Sequence, residues 1–261
     1  MPGAGLRPSW KGWLRRWDEQ QETFNPEREQ RFRAMLDALE AELGHRFRAL
    51  DLGSGPGSLS ARILRRFPTA RVTAVDYDPV VLTVGRGALG SQGGRLTWVE
   101  AKLGEPGWTD RIPMDRYDAA VSATALHWLS PAEVTRVYLD LARLIRPGGV
   151  LLNGDHLPWG AREPHLASLG SKILKIRPAT SKLPTKRPET WRRWWEAARR
   201  VPALKDAFVE HDRRYDPRWN LRPPRADLSL DFHRRILKAL GFRTIAVIWQ
   251  DFENRVLFAR R

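Results

Sequence analysis

The chain has 261 residues, 45 basic against 30 acidic side chains for a net charge of +15, 42% hydrophobic residues and no cysteine. That length suits one α/β domain with insertions, or one domain plus a small cap. Disulfides, thiolate metal sites and a cysteine nucleophile are excluded. No 18-residue apolar run is present to span a membrane, and Met1–Arg7 lacks the apolar core of a signal peptide. A cytoplasmic enzyme without a metal is the expectation. The charge is uneven: residues 160–240 hold twenty basic and nine acidic side chains, or +11, while residues 51–159 are near neutral at +1. Four of the eight lysines, Lys172, Lys175, Lys182 and Lys186, lie in that basic stretch.

In chain order, residues 9–43 read as helical. Trp10, Trp13 and Trp17 share one helix face. After a break at Asn25-Pro26, with Asn25 read as an N-cap and Pro26 as the first helical residue, Phe32, Met35, Leu36, Leu39 and Leu43 form an apolar stripe stopped by Gly44. These helices either pad the sheet or bring the tryptophan face over a crevice as a lid.

Next comes Phe47–Leu52, a first strand with Asp51 just before its end, followed by glycines at alternate positions and a helix over Ser58–Phe67. Glycines let the backbone turn sharply and approach a ligand closely, and the turn presents a helix N-terminus with unpaired N–H groups. The dinucleotide fingerprint Gly-x-Gly-x-x-Gly does not fit, because Ser58 or Ser60 stands where its third glycine belongs. The spacing is Asp51-x-Gly53-x-Gly55-x-Gly57.

Strand–helix alternation continues, the pattern of a parallel sheet covered on both faces. Strands are expected at Arg71–Asp76, Leu96–Glu100, Tyr117–Ala123 and Val150–Asn153, with helices at Pro79–Leu89 and Pro131–Ile145 and a tight turn at Arg146–Gly149. Residues 157–226 break the rhythm, with many prolines and charges. Within them Trp191, Trp194, Trp195 and Ala198 mark one apolar helix face, with Arg192, Arg193, Arg199 and Arg200 on the others. A helix at Leu228–Leu240 capped by Gly241 precedes strands Arg243–Gln250 and Arg255–Arg260, which form an antiparallel hairpin. The expected fold is a doubly wound, Rossmann-like α/β sheet of seven mostly parallel strands with a helical cap insertion. The units are a helical lid (1–45), a cofactor-binding core (46–156), a basic cap (157–226) and the closing helix and hairpin (227–261).

This order of features, with the glycine spacing, an acid ending the second strand, Arg146-Pro147-Gly148-Gly149 before the fifth and a closing hairpin, resembles the class I S-adenosylmethionine-dependent methyltransferases. The stretch Ser122–Leu129 is similar to small-molecule members of the trans-aconitate methyltransferase type. The resemblance implies S-adenosyl-L-methionine as cofactor. It places Gly53, Ser54, Gly55 and Gly57 against the methionine part, Asp51 beneath that loop, Asp76 on the ribose hydroxyls, Tyr77 on adenine, and Ser122 among the cofactor residues. At one place the chain departs from the family. Where many members carry an acid for the adenine amino group, Lys102 stands, so the backbone at Lys102–Leu103 is left to read the ring edge.

Methyl transfer to a hydroxyl or amine needs a proton acceptor, and the candidates beside the site are His127, Asp155 and His156. The expected reaction is in-line methyl transfer to a small-molecule acceptor, with the basic cap favouring an anionic one. Two alternatives stand beside it: an RNA methyltransferase that uses the basic segment on phosphates, and a non-catalytic cofactor-binding or nucleic-acid-binding scaffold.

Overall fold

A computed structural model describes residues 9–25, 27–113, 116–160, 163–176, 189–215 and 227–261. Its centre is a seven-stranded sheet in the order β3-β2-β1-β4-β5-β7-β6. The strands are β1 (Arg48–Leu52), β2 (Arg71–Asp76), β3 (Leu96–Glu100), β4 (Tyr117–Ala123), β5 (Ile145–His156), β6 (Ile245–Asp251) and β7 (Asn254–Arg260). The first five run parallel, and β7 pairs antiparallel with both β5 and β6. Parallel strands covered on both faces read as continuous apolar runs. In β1 every residue after Arg48 is buried, Asp51 included.

Helices α1 (Trp10–Phe24), α2 (Arg28–Leu43), α3 (Ser58–Arg66) and α4 (Pro79–Leu89) belong to the first half of the chain. The others are α5 (Pro131–Leu144), α6 (Pro164–Ile176), α7 (Trp191–Ala198), α8 (Lys205–Arg214) and α9 (Leu230–Ala239). Helices α2 and α3 cover one face of the sheet through Phe32, Met35, Leu39, Leu59 and Ile63, while α5 and α9 cover the other through Val134, Val137, Tyr138, Leu141 and Leu237. The starts of the helices follow local chemistry. Asp78 accepts from Val80 N at the head of α4, ahead of Pro79, and Ser130 forms a reciprocal capping box with Glu133 on α5.

Three sequence expectations change. Asn25 does not N-cap α2: it closes α1, its N–H bonding Gln21 O, and α2 starts behind Glu27 without a side-chain cap. The expected turn Arg146–Gly149 sits inside β5. Ile145 pairs with Tyr117 and Val150 with Ala119, so four residues loop out opposite Asp118, where a Cβ on Gly149 would lie 2.6 Å from Asp118 O. The fifth strand also runs on to His156, because β7 supplies partners up to the His156–Asn254 pair.

A third apolar cluster lies outside the sheet. Val80, Val81 and Val84 of α4 meet Trp194, Ala198, Leu204 and Phe208, with Trp10, Trp13, Trp17 and Trp195 packed around them. The ring of Trp194 is fully buried, edge-on to Trp17 at 4.9 Å and to Trp13 at 5.7 Å. The two tryptophan faces seen in the sequence are therefore partners of each other. Lys182 and Lys186 lie outside the described residues, and Lys172 and Lys175 are exposed on α6.

Candidate active site

The strand order reverses between β1 and β4, and in open α/β sheets ligands bind beyond the carboxyl ends at such a point. The chain leaves β1 through Gly53 (φ +65°), Gly55 (φ +53°) and Gly57 (φ +88°). A Cβ on Gly53 would lie 2.3 Å from that of Ala125, just past β4, and one on Gly57 would meet the Trp98 ring at 2.7 Å. At Gly55 the nearest atoms are those of the Trp17 indole, from 3.6 Å. The need for glycine there comes from the backbone alone. Ser54 N donates to Val75 O at 3.0 Å.

Asp51 is buried and its Oδ2 accepts from Ser60 N at 3.1 Å and Ser60 Oγ at 2.6 Å, which pins the first turn of α3 to the end of β1. Burial, reinforced by the like charge of Asp76, raises its pKa to about 6. Asp76 ends β2 and accepts from Gly55 N at 2.7 Å, Tyr77 N at 2.8 Å and Asp78 N at 2.9 Å. Desolvation likewise raises its pKa to about 6. Lys102 Nζ pairs with Glu105 at 2.6 Å and lies 5.9 Å from the Tyr77 ring. Leu103 is buried in the core on the α5 side. Ser122 is fully buried, and its hydroxyl donates to Leu52 O at 2.9 Å, tying β4 to β1.

The structure brings two of the three candidate bases together. His127 follows β4, and its Nδ1 lies 2.7 Å from Oδ1 of Asp155 on β5, while its backbone N–H donates to Asp155 Oδ2 at 3.1 Å. The Asp155 side chain is 1% exposed and that of His127 29%. Against the cost of burial, His127 and Arg31 hold Asp155 ionised, with a pKa lowered to about 2. An ionised carboxylate only accepts, so Nδ1 carries the proton and neutral His127 keeps its lone pair on Nε2. Burial works against protonation of His127, but the Asp155 charge overcomes it and raises the pKa above the ordinary value. His156, the next residue along β5, projects from the opposite face of the strand and pairs with Glu253 at 3.3 Å.

The sequence reading did not single out five residues that stand here. Arg31 of α2 is fully buried and bonds Thr124 Oγ1 at 2.8 Å and Asn254 Oδ1 at 2.9 Å. Thr124 has φ +55°, uncommon for a β-branched residue. A Cβ on Gly154 would meet Met35 Sδ at 2.9 Å and the Arg31 stem at 3.2 Å, so that glycine gives Arg31 its passage across β5. Arg214 and Tyr215, at the end of α8, lie against Tyr77. An arginine on the buried stripe of α2, four residues before Met35, was the available signal for Arg31. Nothing local marks Arg214.

Residues 49–149 match the family model described as a methyltransferase domain. An uncharacterized methyltransferase of Mycobacterium tuberculosis (strain ATCC 25618 / H37Rv) is 37% identical over 121 residues, covering 46% of this chain and 42% of that protein. Trans-aconitate 2-methyltransferase of Azoarcus sp. (strain BH72) is 35% identical over 136 residues, covering 52% of this chain and 49% of that protein. These matches span about half of the curated relatives' length. Among solved structures, an O-methyltransferase family protein from Burkholderia thailandensis superposes with a TM-score of 0.51 at 18% identity, over 88% of this chain and 55% of the other. Human N-acetylserotonin methyltransferase in complex with S-adenosylmethionine does so at 0.50 and 15% identity, over 88% and 51%. The structural likenesses show the Rossmann-like methyltransferase fold.

Human N-acetylserotonin methyltransferase is seen with S-adenosylmethionine bound, and the residues present in this chain fit that group. A glycine turn with an acid at its root, and a second acid on the neighbouring strand end, provide carbonyl, N–H and carboxylate partners for a ligand carrying an ammonium group and two hydroxyls. Gln20, on the α1 face shared with Trp13 and Trp17, is fully buried, with both amide atoms unpartnered among the described residues. Such a group costs free energy until something bonds it.

Proposed function

We propose that this chain, which carries a methyltransferase domain over residues 49–149, transfers the methyl group of S-adenosylmethionine to a hydroxyl oxygen of a small molecule. The observation that carries the reading is the His127–Asp155 pair, with Nδ1 fixed 2.7 Å from a buried carboxylate. When bound, the cofactor supplies an electrophilic methyl group on a sulfonium, and the protein's task is mainly alignment. In this proposal Asp76 accepts the ribose hydroxyls, Tyr77 packs on adenine, and the loop Gly53–Gly57 receives the methionine part.

At the acceptor, His127 Nε2 takes the hydroxyl proton as the oxygen bonds to carbon. Asp155 stabilises the imidazolium that forms and keeps the ring oriented. A carboxylate acceptor, such as the one implied by the name of the trans-aconitate relatives, carries no proton to remove, and a buried dyad would have no task there. Against the RNA alternative, the aromatic face of α7 is packed on α1 and α4 and is withdrawn from bases. The experiment is transfer of labelled methyl from S-adenosylmethionine to panels of alcohols, phenols and carboxylic acids. Labelling of hydroxyl compounds that falls at least a hundredfold in His127→Gln supports the proposal; labelling of carboxylates alone, unaffected by that change, overturns it.

A further inference from the structure

Helix α8 meets the core at Tyr77 and Asp78, just past β2, and at Glu100, the last residue of β3. Arg214 Nη1 donates to Tyr77 O at 2.7 Å, its Nη2 bonds Glu100 Oε1 at the end of β3 at 2.6 Å, and its guanidinium lies over the Tyr77 ring at 4.7 Å. Tyr215 stands edge-on to Tyr77, with centroids 6.0 Å apart. One turn earlier, His211 Nδ1 lies 2.9 Å from Asp78 Oδ2, and Phe208 is buried against α4. The Tyr215 hydroxyl also sits in the field of both Asp76 and Asp78, which with its burial raises its pKa.

We infer that the end of α8 is part of the cofactor site: Arg214 and Tyr215 hold Tyr77 as the adenine-packing surface and wall the adenosine end. This rests on the methyltransferase reading above. Two features separate this contact from ordinary cap docking. The apolar cluster of Trp194, Leu204 and Phe208 already fixes α7 and α8 to α4, so the arginine is not needed for attachment. A guanidinium that bonds the Tyr77 carbonyl, the Glu100 carboxylate and the Tyr77 ring at once instead fixes two adjacent strand ends where a ligand would lie. Those strand ends are also where Lys102 replaces the acid expected to hold adenine. In this account the cap supplies the rigidity that the missing side-chain contact would have given. Arg214 is a positioning residue, acting through Tyr77.

The test uses the full chain and S-adenosylhomocysteine, with affinity read by titration calorimetry and unliganded stability by thermal melting. Arg214→Met is expected to weaken binding ten- to a hundredfold while the unliganded melting temperature stays within a few degrees, and Arg214→Lys to recover part of the loss. The neighbouring exposed Arg213, which among the described residues pairs only with Glu210 of its own helix, a carboxylate that Arg214 also contacts, serves as control, and Arg213→Met should bind as wild type. Wild-type affinity in Arg214→Met overturns the inference, and so does a loss matched by collapse of the unliganded melting, which would mark a structural role. If Arg214→Met does not fold, Arg214→Lys decides: several-fold weaker binding supports the inference and wild-type affinity overturns it. Absence of S-adenosylhomocysteine binding in the wild type would instead overturn the methyltransferase reading itself, and the inference with it.

Discussion

His127 and Asp155 come from the ends of adjacent strands, and the 2.7 Å contact between Nδ1 and Oδ1 leaves Nε2 as the ring nitrogen without a partner among the described residues. The base form is the neutral ring, and the Asp155 charge raises the pKa at which that form is lost. The rate should therefore fall as pH drops through a value above about 6.5. Asp155→Asn removes the charge that favours the imidazolium, so the acid limb should move to lower pH while the maximal rate drops by roughly 10²–10⁴. Profiles of kcat/KM against pH for the two proteins check this.

Asp51 carries a cost at neutral pH. Its folded pKa of about 6 stands above its unfolded value, so its stabilising contribution is complete below about pH 4 and is lost as pH rises through 6. Asp51→Asn can still accept from Ser60 through its amide oxygen. It should raise stability at pH 8 by about 1–3 kcal/mol, with the gain gone by pH 4. Urea unfolding at the two pH values measures the difference. If Asp51 orients the glycine loop for the cofactor, the same variant should bind S-adenosylhomocysteine more weakly.

Trp194 joins α7 to α1, its indole N–H reaching Trp13 O at 3.3 Å. Trp194→Ala should destabilise the protein by about 3–5 kcal/mol and expose α7 itself to proteolysis before the sheet unfolds. Denaturant unfolding combined with limited trypsin digestion reads both effects.

Gly154 has φ outside the left-handed region, so only crowding restricts substitution there. Gly154→Ala should push the Arg31 stem and Met35 off β5, cost about 1–3 kcal/mol, and lower the rate by loosening Thr124 ahead of His127. A fall in kcat without a change in S-adenosylhomocysteine affinity would locate the effect at the acceptor side.

The strands and the glycine turn were legible because their signals are local: apolar runs, an acid at each of two strand ends, and alternate glycines. The pairing of Trp13 and Trp17 with Trp194 was half legible, since each face announced a burial but not its partner. Asn25 was misread because an Asn-Pro pair can either close one helix or open the next, and the backbone bond to Gln21 chooses the first. Of the candidate bases, strand alternation sets Asp155 and His156 on opposite faces, yet only the position of His127 across the sheet shows which of them it meets. Arg31 and Arg214 act across 93 and 137 residues of sequence, and no local pattern carries such distances.

The acceptor atom tests the central claim most directly. Product formed from labelled S-adenosylmethionine and a compound bearing both a hydroxyl and a carboxylate should be an ether, resistant to mild alkali, and its yield should collapse in His127→Gln. An alkali-labile methyl ester formed equally well by wild type and His127→Gln would contradict the account.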